Sequence, residues 1–441
     1  MLAIFFFNFI IYFFGFVIIP AIGGVRNNLL YTLYLTLCSV YYFITPYYFY
    51  SVGRQTIWGN DEGYKGIGVN ISDFYDYGLL LYGSATLIFI LAYILSKFNK
   101  SHSFRQDKLY SPKLKIILLF SISYALVLFN LFISGLNPID IIIGSENTTM
   151  LLGAPTASNY LRNFADTMII CLVMAYYFKL NKKLLILLYF SGFTLFLIMG
   201  FRYRIIMTLI GVAICFLYQN QFSFKQISKL FIGACLTLYI ILFITTNRFN
   251  IVRGNLNELV FNPLKYKSNL IFEQTRGALA DFNIMKHYSL YPNTQHDYGV
   301  TNLYFLVRML PRSLFGDFKD SLYPPPAFPI ISEAYSLPPQ WGRITEAILH
   351  YGYLYIAGGI FGVLVGSFII GVAIKYLSCK FYPHNFINLM MIIILCQVLF
   401  QWITRGYFPQ VIDHFAYLFL GLWMFYQIGT KKFVLKTSLS K

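Results

Sequence analysis

Charge is what this chain has least of. Only 12% of its 441 residues are charged, about half the ~25% of an ordinary soluble domain. With 58% hydrophobic residues and a mean hydropathy of +0.62, that shortage predicts a polytopic membrane protein. Cysteine is sparse too. Cys38, Cys171, Cys215, Cys235, Cys379 and Cys396 fall in or at the ends of apolar runs, with no CxxC spacing. They signal neither a disulfide framework nor a metal site. The polar segments lack a Walker loop, GxSxG, HExxH and any DxD-like pair, which disfavours metal-dependent and ATP-driven chemistry. No metal and no cofactor is expected. The first apolar run lacks a basic n-region and an A-x-A-like cleavage site, so it reads as a retained helix. A net charge of +17 invites a nucleic-acid reading. The lysines, however, cluster at helix ends and form no stripe, so no nucleic-acid partner is expected.

What is abundant is long apolar runs. A spanning helix needs about 20 apolar residues. Eleven candidates lie near 2–19, 29–50, 77–96, 114–134, 164–180, 183–200, 204–219, 228–246, 350–376, 386–404 and 410–428. The fold expected is an all-α polytopic membrane protein of about 11 (10–12) helices. It divides into N-terminal helices over 1–246, a large external segment over 247–345, C-terminal helices over 346–430 and a cytoplasmic tail over 431–441. The external segment holds nine of the sixteen prolines. Prolines and bare polar groups are costly in hydrocarbon. A connection of that length is functional or disordered. Its aromatics, such as Tyr266, Phe272 and Trp341, argue against disorder.

The two basic residues divide between the sides. If the helices alternate, sixteen of twenty-one lysines fall on the cytoplasmic side, whereas eleven of thirteen arginines fall outside. Any base serves topology, but the planar guanidinium binds phosphate in a fork and stays charged where water is scarce. The alternative is that outer arginines pair with carboxylates or head groups. The outer acids look too few for that.

Several words stand out. Gly200-Phe-Arg202-Tyr-Arg204 is a tight junction between two apolar runs, where Arg202 and Arg204 oppose the positive-inside tendency. Arg308-Met-Leu-Pro-Arg312 sets two bases four apart, with Arg276 upstream, and Arg405-Gly406 follows Trp402. These make Arg202, Arg204, Arg276, Arg308, Arg312 and Arg405 candidate substrate contacts. Arg343, Glu346 and His350 are spaced by three and four, on one helical face. Glu346 suits a general base with Arg343 holding it ionised, or the pair only fixes the helix entry. Gly358, Gly362 and Gly366 suggest a close helix-packing seam. His296, His384 and His414 read as packing or surface residues.

At these words the chain resembles the bacterial O-antigen and oligosaccharide repeat-unit polymerases, the Wzy type. The words are Gly200-Phe-Arg202, Arg308-Met-Leu-Pro-Arg312-x-x-x-Gly316, Glu346 followed by Tyr351-Gly352-Tyr353, and Arg405-Gly406. The paired Arg-x10-Gly motif of some members is absent, since His287 and Leu354 stand where the glycines would be. The resemblance implies a GT-C-like fold in the bacterial inner (plasma) membrane. It implies a metal-independent glycosyltransferase joining undecaprenyl-diphosphate-linked oligosaccharide units at the outer face. A chain-length regulator, a flippase and membrane lipid would be its partners. Arginines would stabilise the leaving diphosphate, and a carboxylate such as Glu346 would deprotonate the acceptor hydroxyl. An O-antigen ligase shares this plan and donor. A lipid-linked oligosaccharide transporter is the third reading, without the internal repeat that such proteins carry.

Overall fold

The computed structural model describes residues 1–57, 70–100, 111–133, 159–199, 202–220, 256–262, 270–310, 312–335 and 348–430, with isolated positions between 228 and 250. Among the described residues the regular elements are helices, and none is a strand. The longer ones are α1 (Leu2–Ala21), α2 (Leu29–Ser51), α3 (Tyr75–Leu95), α4 (Pro112–Ile133), α5 (Phe164–Tyr177), α6 (Lys182–Ile198) and α7 (Arg202–Gln219). Then come α8 (Gly277–Leu290), α9 (Val300–Met309), α10 (Arg312–Ser321), α11 (Ala327–Tyr335), α12 (His350–Lys380), α13 (Phe386–Arg405) and α14 (Phe408–Thr430). Six helices are long and apolar enough to cross a membrane: α1, α2, Ser72–Leu95, α4, α12 and α13. Ten of the eleven expected runs coincide with helices; the run 228–246 lies largely outside the described residues.

Local chemistry starts and stops these helices. The Asn181 side chain accepts from Lys183 N ahead of α6, and the Asn385 side chain accepts from Asn388 N ahead of α13, each satisfying an orphan first-turn donor. Gly406, with φ +66°, ends α13. Inside α2, Pro46 brings no N–H to the ladder. The turn just before it, Ser39–Ile44, widens to a π-helix, an irregularity that gathers at functional sites.

Two groups of helices pack about one seam. The first sets α3 against α12 and α1, with α2 beside them; the second sets α5 against α4, α7 and α14. α13 touches α2, α7, α12 and α14, and so joins the two. Helices of the polar interval belong to the same core. α8 packs on α12, α11 and α3, and α9 packs on α14. Ala278, Leu279, Phe282, Ile284 and Met285 of α8 are fully buried. The described part of the interval between the two hydrophobic blocks is therefore a set of short helices docked on the bundle. Its aromatics and aliphatics supply the apolar face that a solvated loop would lack.

The expected glycine seam is not how α12 uses its glycines. The helix breaks at Gly358 and Gly359, where Gly359 has φ +61°. A Cβ at Gly358 would meet nothing within 4 Å, and one at Gly362 would strike the Leu354 carbonyl across the break. The Ile356 carbonyl freed there accepts from Asp297 N at 3.1 Å, and His296 Nδ1 lies 3.2 Å from it. The polar interval thus satisfies the interrupted ladder, as a break in a membrane helix requires. Close packing on α3 falls instead to Gly371, whose Cβ would stand 2.7 Å from the Phe89 carbonyl.

Basic side chains are held at both ends of the bundle. At one end Lys100 lies over the Tyr382 ring at 4.4 Å, Lys375 lies over Tyr93 at 4.7 Å, and Arg26 donates to the Asn220 carbonyl. At the other end Arg54 pairs with Glu273, Arg204 with Asp166 and Arg308 with Asp413.

Candidate functional site

Asp281 of α8 holds the polar interval to the start of α12. It is fully buried. Its Oδ1 accepts from Leu349 N at 2.9 Å, and its Oδ2 accepts from Tyr82 Oη at 3.1 Å. Gly352 also donates its backbone N–H to this carboxyl. A side chain from α8 therefore caps the N-terminus of α12, where orphan donors and the helix dipole favour an acceptor. A Cβ on Gly352 would collide with Asp281 Oδ1, so only glycine lets the two helices meet this closely. Burial pushes the Asp281 carboxyl up to about 8, against the hydrogen bonds from Leu349 and Tyr82 that pull it down. A raised folded-state value favours the protonated fold. The stabilisation is complete below about pH 4 and is lost as pH rises through about 8. The thermal midpoint of the detergent-solubilised chain should accordingly fall between pH 5 and pH 9. Asp281→Asn, whose amide oxygen can still accept from Tyr82 but which cannot ionise, should flatten that slope. An unchanged slope in the variant assigns it elsewhere.

His350, the first residue of α12, sits in a tyrosine cage beside this latch. Tyr34 Oη lies 3.0 Å from Nε2 and Tyr42 Oη lies 2.8 Å from Nδ1. The ring is 1% exposed and packs on Trp402 with centroids 5.5 Å apart. Both ring nitrogens are occupied by the protein, so the catalytic role expected for His350 has no open nitrogen to act through. The other two members of that expected face, Arg343 and Glu346, lie outside the described residues.

A second assembly lies at the same end of the bundle, where α5, α7 and α14 meet. Asp166 is fully buried near the start of α5. Its Oδ1 accepts from Arg204 Nε at 2.7 Å, and its Oδ2 is 2.6 Å from His414 Nδ1. Arg204 and His414 are 1% and 3% exposed. Arg308 of α9 reaches the same helix α14, donating from Nε at 2.8 Å and Nη2 at 2.6 Å to Asp413 Oδ2. Tyr160 Oη donates to the carbonyls of Arg308 and Leu310, and Lys319 Nζ donates to the Leu310 carbonyl. The helices of the polar interval are thus tied to the start of the α5 region. Arg162, Arg204 and Arg405 all act electrostatically on Tyr203, and Arg162 also feels Arg308. Arg204 and Arg308 therefore pair with the two carboxylates, with Arg162 and Arg405 close enough to Tyr203 to act on it electrostatically.

Three of the sequence candidates, Arg204, Arg308 and Arg405, come together in this assembly. Arg276 stands apart, bonded to Glu273 Oε2 at 2.9 Å, while Arg54 takes Oε1 of the same carboxylate. Carboxylates thus meet more of the arginines than their number suggested, since Glu273 serves two. Arg202 and Arg312 begin α7 and α10, and their side chains lie outside the described residues. Sequence reasoning missed Asp166, Asp413 and Arg162, and set His414 aside as packing. A signal was present: an aspartate within Phe164-Ala-Asp166-Thr and the pair Asp413-His414 each interrupt an apolar run. Ionisable residues in such runs mark functional sites by default.

Among the described residues no cluster of histidine, cysteine and carboxylate side chains suits a metal ion. No known protein family, curated protein or solved structure matches this chain.

Proposed function

We propose that this chain is a membrane polymerase of the O-antigen and oligosaccharide repeat-unit type. It joins undecaprenyl-diphosphate-linked units at the outer face of a bacterial plasma membrane. In this reading the eleven apolar runs all span, in a GT-C-like arrangement. Ten of the eleven runs are helical among the described residues, and six of these helices are long and apolar enough to cross. The arginine end faces outward, and the lysine end faces the cytoplasm, following the positive-inside tendency. The O-antigen ligase and transporter readings differ from it in acceptor and in chemistry.

One observation carries the reading: at one end of the bundle Arg204 and Arg308 are fixed on Asp166 and Asp413, with Arg162 and Arg405 close enough to Tyr203 to act on it electrostatically. Transfer of a glycosyl group from a lipid diphosphate builds negative charge on the leaving oxygen. Guanidiniums fixed in place stabilise that charge without reorganising at the moment of reaction. Glu346 remains a candidate for taking the acceptor proton, with Arg343 holding it ionised. They precede Leu349, which Asp281 holds at this same end of the bundle.

Deleting the gene and separating the surface polysaccharide on a gel tests the reading. Loss of the ladder with a single repeat unit left on the acceptor is the expected result. An unchanged ladder overturns it. Loss of every unit, the single one included, transfers the assignment to a ligase or a transporter.

A further inference from the structure

The Asp166–His414 pair has an unused half. Asp166 is ion-paired with Arg204, and its second oxygen meets His414 Nδ1. A carboxylate in that pairing only accepts, so Nδ1 must carry the hydrogen. That tautomer leaves the lone pair of the neutral ring on Nε2. Nε2 is buried and has no hydrogen-bond partner. A buried acceptor left open is costly, and a bound hydroxyl removes that cost. The surroundings are those of the arginine assembly. Asp166 faces the ring from α5, and Tyr203 and Arg204 face it from α7, with the Tyr203 ring edge-on at 5.4 Å. Arg405 comes from α13, beside Tyr203. Arg308 of α9 binds the neighbouring Asp413 on α14. α4 carries no charged residue other than Lys113 and Lys115, near its start.

We propose that His414 Nε2 receives the acceptor sugar hydroxyl and is the base of the transfer, with Asp166 and Arg204 as positioning residues. This rests on the polymerase reading. In the step, Nε2 takes the hydroxyl proton as the hydroxyl oxygen forms its bond to the anomeric carbon. The bond from that carbon to the diphosphate oxygen breaks, and its electron pair leaves with undecaprenyl diphosphate. The imidazolium so formed lies against Asp166, which stabilises it as it held the ring beforehand. No further reactant is needed.

The experiment uses the purified full chain and the lipid-linked repeat unit extracted from a strain lacking the gene. Wild type should polymerise it. His414→Gln keeps an uncharged polar group of similar reach. It should be about 10²–10⁴-fold slower. An active wild type beside a His414→Gln variant of similar rate overturns this inference alone. If that variant does not fold, His414→Asn, whose amide can still donate to Asp166, takes its place, and a rate near that of wild type overturns the inference. A wild type that makes no polymer from this donor overturns the polymerase reading together with the inference.

Discussion

Asp166→Leu should lower the stability of the folded chain by about 3–5 kcal/mol, the usual cost of stranding one partner of a buried ion pair. Arg204 and Asp166 are each 1% exposed, and Arg204 Nε lies 2.7 Å from the carboxylate. Removing Asp166 leaves the guanidinium without this counter-charge and also frees His414 Nδ1. Two apolar residues packed in place of a buried pair are often neutral or stabilising. The double variant Asp166→Leu/Arg204→Leu should therefore recover most of the loss. Thermal unfolding of the detergent-solubilised protein reads both. If the double variant melts as low as the single one, unpaired charge is not the cause, and packing around α5 and α7 must be. In the proposed function the recovered double variant folds but does not polymerise, because the pair both braces the bundle and orients His414.

The second large effect lies at Gly406. This residue closes α13 with φ +66° and ψ −35°, a conformation that costs an L-residue about 1–3 kcal/mol. A Cβ there would overlap the Ile348 carbonyl oxygen and stand 2.7 Å from the carbonyl carbon and oxygen of Leu349. Those atoms are backbone, and Leu349 is itself held by Asp281, so they cannot swing aside as a side chain would. Overpacking of this kind adds about 1–3 kcal/mol. Gly406→Ala is thus expected to cost about 3 kcal/mol, read as a drop in the temperature of half-survival in detergent. A variant as stable as wild type would mean that the α13–α14 corner does not press on the entry of α12. The same contact explains why a glycine follows Arg405: it lets the end of α13 approach the chain just before His350.

Much of the architecture was legible before any coordinates. Apolar runs of spanning length are set by the chain alone, because hydrocarbon demands them whatever packs beside them. Ten of eleven runs are helices. The glycine spacing of α12 misled, because GxxxG records where small residues lie and not what approaches them. The break at Gly358 and Gly359 depends on His296 and Asp297 arriving from another segment. His350 misled in a similar way. Its spacing from Glu346 and Arg343 is local, but its partners Tyr34 and Tyr42 lie more than 300 residues earlier.

By itself, then, the sequence determined the membrane character and the helices, both properties of one segment against its solvent. Only the tertiary structure decided which charges meet. Asp166, Arg204 and His414 come from three helices, with Asp166 and His414 248 positions apart. Asp281 reaches Leu349 across 68 positions. No periodicity encodes such pairings, because a buried carboxylate is satisfied by whatever donor the packing of whole helices brings within about 3 Å of it.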